Sequence, residues 1–210
     1  MVLFADRFDA GRRLGKRLVE EGIRADLVLA IPRGGVVVGA EVARALGVPL
    51  DVIVPRKIGA PHNPEYAVGA VTEDGSVIWD EEALDALRLS AAELAPQVSR
   101  QVQEIARRTR LYRGDAPRLS WTGKRVIVVD DGIATGLTTL AALRFLKKAR
   151  PREVILAVPV ASPQALAMLR PEVDRAVSLL VPELFFAVGQ FYREFEQTTD
   201  EEVIALLTRS

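Results

Sequence analysis

A chain of 210 residues is long enough to bury a full core and favours one α/β domain with an appendage over two independent domains. Its 28 basic and 28 acidic side chains balance, with a pI near 6.6, so no global basic field recruits nucleic acid. The lack of cysteine excludes a disulfide framework, thiol catalysis and a cysteine-based zinc site, and a single histidine, His62, excludes a multi-histidine metal centre. The first nine residues carry an acid where a signal peptide needs an apolar core, and no apolar run approaches membrane-spanning length. A cytoplasmic protein without membrane partners is expected.

Taken in order, the chain alternates helix and strand. Asp9 reads as the N-cap of an amphipathic helix through Leu14, Leu18 and Val19 that ends near Gly22. Leu27 to Ile31 reads as a buried strand, Pro32 to Gly35 as a tight turn, and Ala40 to Leu46 as a helix stopped by Gly47. Leu50 to Val54 predicts the next strand. From Pro55 to Pro64, three prolines, a glycine and basic residues leave little apolar periodicity, which predicts a mobile loop. Val68 to Thr72 and Ser76 to Trp79 flank Glu73-Asp74-Gly75, a hairpin signal. The region of about residues 80–118 interrupts the rhythm as a helical insertion. Ser90 and Glu93 form a capping box, and Leu94, Val98, Val102 and Ile105 give one apolar face, to be packed on the core or a second subunit, or to serve as a lid. Val154 to Val160, a helix around Gln164 to Leu169, and Ala176 to Val181 complete the alternation, and residues of about 182–210 form a hood or packing segment. The pattern predicts a doubly wound, mainly parallel sheet flanked by helices, with ligands at the carboxyl ends of its strands.

The stretch from Arg125 to Leu140 carries the most chemistry. Val126 to Val129 is a β-branched run without alternation, as in a strand covered on both faces, and Asp130 and Asp131 fall at its carboxyl end. Gly132 to Thr139 are, Ile133 and Leu137 apart, small or hydroxylated and lead into a helix near Gly136, whose backbone N–H groups suit an anion such as phosphate. Two carboxylates cannot usefully touch that phosphate, so they would hold hydroxyls, a metal or a cation. Pro32-Arg33-Gly34-Gly35 is a second candidate anion loop, with glycines that admit close backbone approach and Arg33 as charge. A receiver-like acidic pocket would need neither loop, and no Gly-x-x-x-x-Gly-Lys-[Ser/Thr] motif equips the chain for nucleotide triphosphate hydrolysis.

The segment Val126 to Thr139 resembles the 5-phosphoribosyl-1-pyrophosphate (PRPP) binding motif of type I phosphoribosyltransferases, and the likeness covers about residues 24–181. The resemblance implies that Asp130 and Asp131 bind the ribose hydroxyls, while Ile133, Ala134, Thr135, Gly136, Leu137, Thr138 and Thr139 wrap the 5-phosphate and Gly132 belongs to the same PRPP site. Arg33, Gly34 and Gly35 correspond to the pyrophosphate loop. Arg56, Lys57, His62 and Glu65 stand in the position of the flexible catalytic loop, Lys57 being the strongest candidate. It further implies a homodimer in nucleotide metabolism that displaces pyrophosphate from C1 of PRPP by a nitrogen nucleophile, with Mg2+ bound mainly through PRPP and water and no direct protein metal site.

The acceptor stays open. Phe185 or Phe186 would stack on a base by analogy with 6-oxopurine transferases; equally, with Phe191, Tyr192 and Phe195, they would be core or dimer residues. Those enzymes carry an acid where this chain has Ala134, and Ile133 to Gly136 looks more like the adenine and orotate branches. As a whole the chain resembles phosphoribosyltransferases of undefined acceptor. The competing class is a non-catalytic regulator that keeps the PRPP site as a sensor.

Overall fold

The computed structural model describes residues 3–114 and 116–208, with Glu65 described by its backbone alone. Helix α1 (Arg7–Glu20) opens the chain, followed by β1 (Leu27–Ala30), α2 (Gly34–Leu46) and β2 (Leu50–Val52). Three further strands, β3 (Arg56–Ala60), β4 (Asn63–Val71) and β5 (Val77–Trp79), precede α3 (Glu81–Leu87) and α4 (Ala91–Arg113). Then come β6 (Arg125–Val129), α5 (Leu137–Lys147), β7 (Glu153–Val160), α6 (Pro163–Leu169), β8 (Arg175–Leu180) and α7 (Asp200–Thr208). No helix among the described residues is long and apolar enough to cross a membrane.

Five strands form a parallel sheet in the order β2-β1-β6-β7-β8. Its strands lack apolar alternation because both faces are covered. Val28, Ala30, Ile127, Val129, Ile155 and Ala157 meet Leu14 and Leu18 of α1 and Val36, Val38 and Val42 of α2. Their neighbours Leu27, Leu29, Val126, Val128, Val154 and Leu156 meet Leu140, Leu143 and Leu146 of α5 and Leu166 and Leu169 of α6. The sheet is thus doubly wound, as the alternation predicts. After β1 the chain crosses over α2 to β2 on one side, whereas after β6 it crosses over α5 to β7 on the other. Adjacent strands whose connections diverge leave a crevice at their carboxyl ends, where open α/β sheets bind ligands.

Two boundaries depart from the sequence reading. The N-cap of α1 is Asp6, whose side chain accepts from the Asp9 N–H; Asp9 lies in the first turn and pairs with Arg13. The expected loop from Pro55 to Pro64 is largely a hairpin, in which β3 pairs antiparallel with β4. The register jumps from Asn63 opposite Ala60 to Ala67 opposite Gly59, so Pro64 sits in a bulge where the ladder does not need its missing N–H. The hairpin of β4 and β5 across Thr72 to Gly75 forms as expected, and completes a three-stranded sheet.

The insertion contains an unanticipated short helix, α3, capped by Asp80, before α4 with its complete Ser90/Glu93 capping box. Leu94, Ile105 and Tyr112 of α4 are buried, with Val98 and Val102 packed against the same core. Gln97 donates to the Gly59 carbonyl at 3.0 Å, and Arg56 donates to Gln101 at 2.5 Å. α4 therefore packs on this chain and braces the hairpin. Beyond β8, a 3-10 turn (Val188–Phe191) returns the chain to its N-terminus, where the Phe4 N–H donates to the Phe191 carbonyl at 2.8 Å. Phe4, Val160, Phe191 and Tyr192 form a separate apolar cluster there.

Candidate functional site

The loops following β1 and β6 meet at the crevice. The first, Pro32 to Gly35, contains a cis Pro32–Arg33 peptide and continues into α2. A side chain on Gly34 would collide with the Asp131 carboxylate and the Arg7 guanidinium, and a Cβ on Gly35 would lie 2.9 Å from the Cα of Asp130. Both glycines are thus required by close approach: the backbone of one anion loop rests directly on the acids of the other.

The two acids differ in surroundings. Asp130 accepts from the Asp131 N–H at 2.8 Å, and burial together with the like charge of Asp131 pushes its pKa well above the usual carboxylate range. Asp131 pairs through Oδ2 with Nε of Arg7 at 2.7 Å, and its carbonyl accepts from the Tyr192 hydroxyl at 2.5 Å. Burial, followed by the charge of Asp131, raises the Tyr192 pKa. Arg7 also donates to the Glu196 carbonyl at 2.6 Å and stacks 3.8 Å over the Phe195 ring. Neither Arg7 nor Tyr192 was legible as a site residue in the sequence. Arg7 carries no signal beyond its place in the first turn of α1, and Tyr192 lies among aromatics readable as core.

Beyond the acids the chain forms a cradle. The Ile133 N–H donates to the Val160 carbonyl at 2.9 Å, and the Ser162 hydroxyl donates to the Ala134 carbonyl at 2.6 Å while accepting from the Ala165 N–H. Ser162 thereby pins the turn and caps α6 at once. Gly136 adopts φ 82°, a left-handed conformation that glycine takes without strain, and starts α5 with no side-chain cap. The first N–H groups of α5 have no partner within the helix and carry its positive dipole end toward the loop. Ala134 and Thr135 are exposed and Thr138 is half-buried, but the side chains of Ile133, Leu137 and Thr139 are buried, so these three offer a ligand their backbone.

Lys57 belongs to a different edge of this region. A cleft of about 700 Å³ between the three-stranded sheet and α5 is lined by Lys57, Tyr66, Trp79, Thr135 and Thr138 and by the acids Asp80, Glu81 and Glu82. It touches the cradle through Thr135 and Thr138, whereas Asp130 and Asp131 do not border it. Arg56, expected beside Lys57, points instead to α4. Burial and the neighbouring Arg108 lower its pKa. Arg33 turns toward Asp200 of α7 at 3.8 Å, and Asp200 also accepts from Tyr112, whose hydroxyl is pushed up to about 12 by burial and that bond. His62 stands exposed at the hairpin tip, and the Glu65 side chain lies outside the described residues. Phe185 packs on Phe191, ring centroids 5.0 Å apart, while Phe186 is 84% exposed. Gln190 receives the N–H groups of Phe186 and Ala187 and donates to the Leu184 carbonyl, which fixes the loop that presents Phe186.

Comparison with known proteins agrees with this geometry. A family model described as a phosphoribosyl transferase domain matches residues 4–195. Mycobacterium tuberculosis strains CDC 1551 and H37Rv each have a protein named "Putative phosphoribosyl transferase" that is 44% identical over 210 residues, covering 100% of this chain and 47% of the relative. The chain thus spans about half the length of the curated relatives it matches. The crystal structure of TT1426 from Thermus thermophilus is 44% identical and superposes with a TM-score of 0.81 over 99% of this chain and 98% of that one. A hypothetical protein from Neisseria gonorrhoeae, crystallised with ppGpp, shares the fold at 17% identity, with a TM-score of 0.54 over 99% of this chain and 94% of its own. With the family model running from the first turn of the chain to Phe195, across both anion loops, this chain belongs to the phosphoribosyl transferase domain family.

Proposed function

We propose that the chain is a PRPP-dependent transferase whose substrate lies across the crevice between the loops after β1 and β6. The observation that carries this reading is the contact of Gly34 and Gly35 with the two acids, which sets one anion loop against a carboxylate pair whose own loop leads into the N-terminus of α5. Asp130 and Asp131 accept from the ribose hydroxyls, the turn from Ile133 to Thr139 receives the 5-phosphate, and the backbone of Gly34 and Gly35 receives the pyrophosphate, joined by Arg33 once it leaves Asp200. A nitrogen lone pair attacks C1 as the bond to pyrophosphate breaks, and the departing oxygen takes the electron pair. Lys57 would meet the growing negative charge once substrate draws the hairpin inward. The N–H groups of the pyrophosphate loop suit phosphate oxygens and offer a cation no ligand, so magnesium would be held by PRPP oxygens and water rather than by this loop. When bound, magnesium would neutralise charge on the leaving group. The same reading includes a cytoplasmic homodimer, with Phe186 on its fixed loop as the candidate surface for an acceptor.

Ala134 bears on the acceptor. Its methyl group cannot exchange a proton with the imidazole side of a purine, so hypoxanthine and guanine should be poor acceptors. Pyrophosphate release should be followed with PRPP, magnesium and a panel of hypoxanthine, guanine, adenine, orotate and non-base amines. Release with adenine, orotate or an amine, and little with the 6-oxopurines, is expected. Efficient use of hypoxanthine would overturn the reading of Ala134, and PRPP binding without turnover on any acceptor would assign the chain to sensing.

A further inference from the structure

Arg7 ties together three segments that are remote in sequence. Its Nε meets Asp131 Oδ2 at 2.7 Å, its Nη1 donates to the Glu196 carbonyl at 2.6 Å, and its guanidinium lies over Phe195. Its side chain is only 12% exposed, and the missing side chain of Gly34 leaves the room it occupies. A planar, forked guanidinium can hold a carboxylate, a carbonyl and an aromatic face in fixed relation, which an ammonium cannot do equally well. The Tyr192 hydroxyl, on the same C-terminal segment, holds the Asp131 backbone through its carbonyl.

We propose that Arg7 is a positioning residue for the acidic pair: it fixes the orientation of Asp131 and couples it to the C-terminal segment from Tyr192 to Glu196. Its bearing on substrate rests on the PRPP reading above. Asp131 Oδ2 is committed to Arg7, which leaves Oδ1 to accept from a ribose hydroxyl. Arg7 from α1 and Tyr192 from the C-terminal segment face the pair, with the acids facing each other. The loop before α2 contributes only the backbone of Gly34 and Gly35, because Arg33 turns to Asp200. The Arg7 charge opposes the rise in the Asp130 pKa, so its loss should make the pair take up a proton at higher pH.

The test uses the whole chain as Arg7→Gln and Arg7→Lys. Carboxyl titration of the ligand-free protein by carbon-13 NMR should show the proton-uptake midpoint of the pair moving up by roughly one pH unit in Arg7→Gln and staying near wild type in Arg7→Lys. In both variants backbone amides of residues 192–196 should exchange faster, because neither retains the guanidinium fork. PRPP affinity should fall about tenfold in Arg7→Gln and recover in part in Arg7→Lys, as loss of a group that orients a binding carboxylate predicts. Should Arg7→Gln not fold, the exchange rates and PRPP affinity of Arg7→Lys decide the matter. An unmoved midpoint with unchanged exchange at residues 192–196 would overturn the proposal. Failure of the wild type to bind PRPP would instead remove the functional reading, while the ligand-free titration and exchange would still decide whether Arg7 positions Asp131.

Discussion

Asp130 shows how the site trades stability for binding. Its carboxyl is buried beside a second acid, so the folded chain holds this proton more tightly than the unfolded chain, for which 3.8 is the ordinary value. The stability from that protonation is complete below the ordinary value and is lost as the pH rises through the raised pKa. At neutral pH, where the unfolded chain has already released this proton, burying Asp130 beside Asp131 therefore costs stability. Asp130→Asn keeps an acceptor for the Asp131 N–H and removes the charge, so its Tm at pH 7 should exceed that of the wild type, by roughly 2–4 °C for each kcal/mol relieved. The gain should shrink as the pH falls toward 4. A lower Tm at pH 7, or a difference independent of pH, would contradict this account of the pair. Asp130, Asp131, Gly34 and Gly35 were legible in the sequence because each stands in a short contiguous motif at a strand end. Arg7 was not, since it reaches Asp131 across 124 positions of sequence and only folding sets them together.

At the scale of elements, local chemistry settled some questions and tertiary packing others. The Ser90/Glu93 box fixed the start of α4 from four consecutive residues, with the Glu93 side chain accepting from the Ser90 N–H at 2.8 Å. Ser90→Ala should cost about 1 kcal/mol, a modest fall in Tm. It should leave PRPP affinity unchanged, because α4 braces the hairpin from outside the crevice; altered affinity in calorimetry would show that α4 communicates with the site. The β3–β4 hairpin was illegible for a physical reason. Pro64 and Gly59 read as breakers in one dimension, yet the bulge absorbs both, and the Gln97 bond to the Gly59 carbonyl supports the distorted strand from a helix still distant in sequence. Arg56 misled for a related reason: a basic residue opening a strand can point to either side, and Gln101 holds it on the side of α4.

For the whole molecule, uninterrupted apolar strands announced a sheet covered on both faces, and the division of their side chains between two cores bears that out. The strand order β2-β1-β6-β7-β8 could not be read from the chain, because periodicity gives faces and not neighbours. That order places β1 beside β6 and so brings together two loops about a hundred residues apart. The position of the crevice is thus a property of topology, and its chemistry a property of two short motifs. The C-terminal segment closes the arrangement through Tyr192, Phe195 and the Arg7 contact with Glu196.

The central claim is that this crevice holds PRPP through Asp130 and Asp131. Calorimetric titration of the wild type and of the double variant Asp130→Asn/Asp131→Asn with PRPP and magnesium tests it most directly. Charge-assisted hydrogen bonds contribute about 1.5–3 kcal/mol each, so losing both should weaken binding by about a hundredfold or more while the fold persists. Saturable wild-type binding that collapses in the double variant is the result expected; equal affinity in the two proteins, or no binding by the wild type, would contradict the account.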